Sequence, residues 1–204
     1  MKPNDFFERI IYINLDRRTD RRTESEAEFS KHRLAVERFP AVDGVDQLPA
    51  GKLTRGEIGC RLSHLEVLKI AAQCSRPVLI LEDDVEFHGQ FIDIFSNHIG
   101  GLPPWDLLYL GGNHVLPTTA SQVSSMVRRV RKTYTTSSYA VNPAGAKKLI
   151  EIVERLSTTQ VDVAFAQVQS HMNSYAFYPA LAWQKPGYSD IQEDTVNYKQ
   201  YMKK

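Results

Sequence analysis

Short runs of consecutive apolar residues alternate along this chain with longer stretches of helical spacing. Residues 10–15 (IIYINL), 39–42, 78–81 (VLIL), 106–110 (DLLYL), 134–141 (YTTSSYAV) and 175–178 read as strands. Apolar runs of this length suit strands covered on both faces. Residues 19–31 read as a polar helix and 55–73 as a longer one, in which Ile58, Leu62, Leu65 and Leu68 face the core. Phe91, Ile94, Phe95 and Ile99 mark another helix, and Ala146, Leu149, Ile150 and Val153 the apolar face of one capped by Asn142 with Pro143 in its first turn. A further helix starts near Asp162, the expected N-cap. Residues 113–132 are polar and aperiodic, and are expected to be a mobile surface segment. Strands alternating with helices predict an α/β fold with a mostly parallel central sheet flanked by helices.

The run at 78–81 ends in Glu82, Asp83 and Asp84. Carboxylates at the carboxyl end of a buried strand lie where open α/β sheets bind ligands. Three adjacent acids repel one another unless a cation shares them, and a hard divalent ion, Mn²⁺ or Mg²⁺, is the expected one. A solvated turn is the alternative. The first strand likewise ends in Asn14-Leu15-Asp16 and then Arg17, Arg18, Arg21 and Arg22. Arginines at a helix start oppose the macrodipole unless an anion lies nearby, so this is either a phosphate site or a basic face balanced by neighbouring acids. In the 55–73 helix, Glu57, Arg61 and His64 share one face. Gly56 and Gly59 each cost about 1 kcal/mol relative to alanine, and glycines there admit a close backbone or a ligand.

Composition narrows the field only a little. The chain has 204 residues, with 42% hydrophobic and 24% charged content and a net charge of +1, which gives no global reason to expect nucleic acid. No apolar run approaches the roughly 20 residues needed to cross a bilayer. The start carries acids where a signal peptide needs apolar residues, so a cytoplasmic protein is expected. Cys60 and Cys74 form no C-x-x-C pattern, and Cys60 reads as a packed residue. No repeat or linker interrupts the chain. A single domain over 1–204 is expected, with a core at 8–187 and a short tail at 188–204.

In this order, IYINLDRRTDRR, RFPAVDG, GEIGCRLSH, LILEDDVEF, DLLYLGG and TTSSYAVNPAGAKKL resemble glycosyltransferase family 25, across about residues 8–187. That family includes bacterial lipooligosaccharide galactosyltransferases and procollagen galactosyltransferases. The resemblance implies a GT-A-like, Rossmann-like domain that binds a nucleotide sugar, usually UDP-galactose, with a divalent cation. It then moves the sugar, with inversion, to a glycan or glycolipid acceptor such as lipooligosaccharide core. It implies that Asp84 and Glu82 hold the metal. Asn14, Asp16, Arg17, Arg21, Glu57, Gly59, Ser63, His64, Glu82 and Asp83 would contact the nucleotide sugar. Asp162, or else Asp190, would be the catalytic base. Tyr134, Thr136, Ser138 and Tyr139 would border the acceptor groove. Membrane contact would be at most peripheral, at the inner face of the cytoplasmic membrane.

A signalling receiver domain also carries acids after an apolar strand. There they follow the first strand, and a phosphoacceptor aspartate comes about two strands later; here residues 113–132 contain no aspartate. A metal-dependent phosphohydrolase, or a silent nucleotide-sugar-binding relative, uses the same carboxylates and stays open.

Overall fold

The computed structural model describes residues 1–48, 51–115, 122–192 and 194–202. The strands are β1 (Arg9–Asn14), β2 (Glu37–Pro40), β3 (Val78–Glu82), β4 (Val85–Phe87), β5 (Leu107–Tyr109), β6 (Asn113–His114), β7 (Val127–Arg129), β8 (Thr133–Tyr134), β9 (Ser138–Val141), β10 (Ser174–Phe177), β11 (Ala182–Gln184), β12 (Gly187–Ser189) and β13 (Asp194–Val196). The helices are α1 (Pro3–Phe6), α2 (Thr19–Lys31), α3 (Arg55–Ala71), α4 (Phe91–His98), α5 (Pro143–Arg155), α6 (Val161–Val168) and α7 (Lys199–Met202).

Seven strands form the central sheet in the order β2-β1-β3-β9-β5-β10-β7. Strands β2, β1, β3, β5 and β10 run one way, while β9 and β7 run against them. The sheet is therefore mostly parallel, as expected. Alternation along each strand sorts the core into two layers. Ile11, Ile13, Val78 and Ile80 pack under α3, α5 and α6, whereas Ile10, Tyr12, Leu79 and Leu81 pack with α2 and α4. Both faces are covered, which is why these strands read as unbroken apolar runs. No helix among the described residues is long and apolar enough to cross a membrane.

Helix α2 has the expected bounds, and α5 has its expected cap, the Asn142 side chain accepting from the Gly145 amide at 2.6 Å. Other expectations need correcting. The helix expected to be capped by Asp162 has Gln160 as N-cap, with Asp162 inside the first turn. The strand expected over 134–141 is two strands, β8 and β9, broken at Thr135, whose φ of 81° places a non-glycine residue in the left-handed region. The segment 113–132, expected to be irregular, contributes β7 to the sheet edge, where Val127–Arg129 pair antiparallel with β10; residues 116–121 of it lie outside the described set. The expected tail at 188–204 begins in a hairpin, β12 with β13, followed by α7, whose Met202 is 1% exposed.

Candidate functional site

Two cavities meet at the carboxyl end of β3. The first, about 290 Å³, is bounded by the segment after β1, the turn after β2, the start of α3 and the acidic triplet. Arg17, Arg21, Arg55 and His64 line it, so it is called here the arginine cavity. The second, about 270 Å³, is lined by Tyr134, Thr136, Asp162, Tyr198 and Tyr201 among others, and is called the tyrosine cavity. Cys60, Glu82, Gln184, Ser189 and Ile191 line both.

The tight turn between β3 and β4 aims three carboxylates in three directions. Asp83 is fully engaged: its carboxylate accepts from Asn14 Nδ2 at 2.7 Å and from the Arg21 guanidinium at 2.6 Å, and its carbonyl accepts from Ser25 Oγ at 2.6 Å. Glu82 Oε1 accepts from Thr136 Oγ1 at 2.7 Å and lies 3.1 Å from His64 Nε2, whose Nδ1 is 2.9 Å from the Tyr139 hydroxyl. Burial alone would push Glu82 up, but the His64 and Thr136 contacts outweigh it and hold the carboxyl below its usual value. Asp84 differs. Its Oδ2 accepts from Gln184 Nε2 at 2.8 Å and lies 3.3 Å from Arg21, while the buried Oδ1 accepts no hydrogen bond among the described residues. Burial, then the charges of Glu82 and Asp83, push Asp84 up to about 7. A buried carboxylate oxygen without a hydrogen-bond partner, on a residue that lines the cavity, fits one ligand position of a hard divalent cation.

A second cluster surrounds Glu82. Ligand atoms of Cys60, His64 and Glu82 lie within 4.8 Å of one another, a set that suits a softer cation. Burial pushes the Cys60 thiol well up, so the cluster as it stands holds a protonated thiol.

The structure gathers Arg17, Arg21, Gly59, Ser63, His64, Glu82, Asp83, Asp84 and Asp190 around the arginine cavity. Asn14 lies one layer behind, 1% exposed, holding Asp83 and accepting from Arg38 at 2.9 Å. Asp16 is not in the lining of either cavity; its side chain is 80% exposed and pairs with Arg38 at 2.5 Å. Glu57 completes a capping box with Thr54, accepts from Gln160, and lines the tyrosine cavity instead. Ser63 is occupied by structure, donating to the Gly59 carbonyl at 2.7 Å and accepting from the Val42 amide at 2.8 Å. A Cβ on Gly59 would stand 2.6 Å from the Val42 carbonyl oxygen, and one on Gly56 2.7 Å from Ile191 Cα. These glycines admit neighbouring backbone, the first of the two alternatives.

Asp190 accepts from Arg17 and Arg18, an ion-paired position beside the arginine cavity. Asp162 lines the tyrosine cavity, with Oδ2 accepting from the Thr135 amide at 3.1 Å and Oδ1 from the Val163 amide at 2.7 Å. Of the expected acceptor border, Tyr134 and Thr136 line that cavity, whereas Ser138 and Tyr139 are buried in the sheet. Sequence reasoning missed Arg55, Gln184, Gln192, Tyr198 and Tyr201. Only the β4–β11 pairing brings Gln184 to Asp84, and no local pattern announces that pairing.

The sequence model of glycosyltransferase family 25 (LPS biosynthesis protein) matches residues 7–165. The chain belongs to glycosyltransferase family 25. An Anopheles gambiae glycosyltransferase 25 family member is 33% identical over 171 residues, covering 69% of this chain and 28% of that protein. Mouse procollagen galactosyltransferase 2 is 31% identical over 171 residues, covering 71% and 27%. The human inactive glycosyltransferase 25 family member 3 is 32% identical over 170 residues, covering 71% and 29%. This family 25 chain thus spans less than a third of the length of these relatives.

Proposed function

We propose that this family 25 chain is an inverting hexosyltransferase that moves galactose from UDP-galactose to a hydroxyl of a glycan, with lipooligosaccharide or lipopolysaccharide core as the acceptor class. The observation that carries the reading is Asp84, a buried carboxylate that lines a cavity walled by arginines and whose Oδ1 accepts no hydrogen bond among the described residues. The arginine cavity takes the donor, with Arg17, Arg21 and Arg55 available to the diphosphate. Nucleotide binding would draw Arg17 away from Asp190, which now occupies it. Asp84 would hold Mn²⁺ or Mg²⁺, with Glu82 beside it. A bound cation supplies charge stabilisation for the diphosphate as it leaves.

The tyrosine cavity takes the acceptor. Asp162 is the base of choice, because it lines that cavity and each of its oxygens keeps a lone pair beyond its backbone contact. It removes the acceptor hydroxyl proton as that oxygen bonds to C1, and the C1–O pair departs with the diphosphate. Asp190, held by two arginines, is the weaker base. The protein is read as a single cytoplasmic domain, with at most peripheral membrane contact. Turnover of UDP-galactose, UDP-glucose and UDP-N-acetylglucosamine, with and without Mn²⁺ and a glycan acceptor, tests this. Galactose transfer that needs both acceptor and cation is expected. Hydrolysis indifferent to acceptor would make the protein a phosphohydrolase. Cation-dependent UDP binding without turnover would make it a silent relative, as the name of the human inactive member allows.

A further inference from the structure

The tyrosine cavity differs from its neighbour in lacking basic residues among its described lining. Its described lining includes Glu57, Glu82 and Asp162 but no lysine, arginine or histidine. Lys132 packs its ammonium over the Tyr134 ring, 5.6 Å from the centroid, and is not part of the lining. Aromatic rings and amides make up much of the rest. At about 270 Å³ the space is just below the range of about 300–1,000 Å³ usual for small-molecule sites, which suits one sugar unit.

One wall comes from the C-terminal segment, and that segment is firmly tied down. Lys199 Nζ donates to Glu86 at 2.7 Å and lies 5.4 Å from the Trp183 ring centroid. Met202 is buried, and the Tyr198 hydroxyl donates to Gln192 at 2.8 Å. Anchored in this way, α7 and the residue before it present Tyr198 and Tyr201 to the cavity. All of them lie beyond residues 7–165, the part matched by the family.

We propose that Tyr134, Tyr198 and Tyr201, with the amides of Asn113, Gln160 and Gln192, form an acceptor subsite for a single sugar unit without negative charge. This deepens the reading of the arginine cavity as the donor site, since only then is a sugar bound here an acceptor. The apolar C–H faces of a hexose pack on aromatic rings, and its hydroxyls exchange hydrogen bonds with side-chain amides. A uronic acid would set its carboxylate among three acids with no cation in the lining, and like charges so placed oppose binding.

Saturation-transfer NMR of the whole chain with methyl β-galactoside and methyl β-glucuronide tests this without requiring turnover. The galactoside is expected to bind and the glucuronide to bind at least tenfold more weakly. Tyr198→Ala and Tyr201→Ala should each weaken galactoside binding about two- to tenfold. Tyr201 is 47% exposed, so its truncation leaves the fold intact. Asn113→Arg should bring the glucuronide up to the level of the galactoside. Equal binding of the two glycosides, no galactoside binding to the folded wild type, or unchanged galactoside binding in both tyrosine variants would overturn the subsite. UDP binding measured on the same samples separates the two readings. If UDP fails to bind while the glycoside pattern holds, the donor assignment falls and the subsite stands.

Discussion

The two cavities share a wall, Glu82 included, yet differ in the other charged groups that line them. The arginine cavity sets three arginines and a histidine among five carboxylates, Asp43, Glu82, Asp83, Asp84 and Asp190, and Arg21 pairs with two of them. The tyrosine cavity holds acids and no basic lining residue among those described. On the proposed function, the contrast gives counter-charges to a diphosphate on one side and rings and amides to a sugar on the other. Glu82 stands at the boundary, tied to Thr136 and to His64 on α3.

The sharpest way to break the contrast is to remove the carboxylate assigned to proton transfer. Asp162→Asn should lower transfer about 10²- to 10⁴-fold while leaving UDP affinity unchanged, as steady-state kinetics and calorimetry on one preparation would show. An equal loss of UDP binding would mean that the cavities are not separate sites.

Next in size is Arg21→Met. Arg21 touches Asp83, Asp84 and the Tyr188 carbonyl, so its loss leaves two buried carboxylates uncompensated. Breaking such a set costs about 3–5 kcal/mol, readable as a fall in denaturant midpoint at unchanged slope. Asp162→Asn should cost far less stability, because Asn can keep one of the two backbone contacts.

Gly59→Ala probes the packing beneath the arginine cavity. Its Cβ would press on the Val42 carbonyl and the Gly44 amide, and overpacking of this kind costs about 1–3 kcal/mol. Alanine at Gly89, where a Cβ meets nothing within 4 Å, is the matched control.

The last effect is one of pH. With Asp84 held up to about 7, the folded chain keeps a proton that the unfolded chain releases near about 4. The native state then binds more protons in that window, so stability falls as pH rises from about 4 to about 7. Asp84→Asn should therefore raise Tm relative to wild type at pH 8, with the gain vanishing near pH 4. Mn²⁺ should raise the wild-type Tm more at pH 8 than at pH 6.

Much of the arginine cavity was legible because its parts are local. The apolar run at 78–81 and its acids are contiguous, and the arginine-rich segment follows directly from β1. The start of α3 at Arg55 and the Asn142-Pro143 start of α5 follow from near-neighbour rules, and both appear as read, but Leu62, expected to face the core, is only half-buried while Arg61 and His64 are buried. The tyrosine cavity was mostly illegible. Tyr134, Gln160, Gln184 and Tyr198 meet only through tertiary folding, and residues 187–202 carry no apolar period strong enough to announce a hairpin and a short helix. Strand β7 was hidden for a related reason: Val127–Arg129 is an edge strand with one buried residue, so no apolar run marks it. Asp162 was misplaced by two positions because Asp is a better N-cap type than Gln160, the residue that holds the position.

The central claim is that Asp84 closes a cation onto a nucleoside diphosphate in the arginine cavity. Calorimetric titration of UDP into wild type and Asp84→Asn, each with and without Mn²⁺, addresses it most directly. Wild type should bind UDP at least tenfold more tightly with Mn²⁺, and the folded Asn variant should show no such gain. A variant that keeps the full manganese effect would contradict the account.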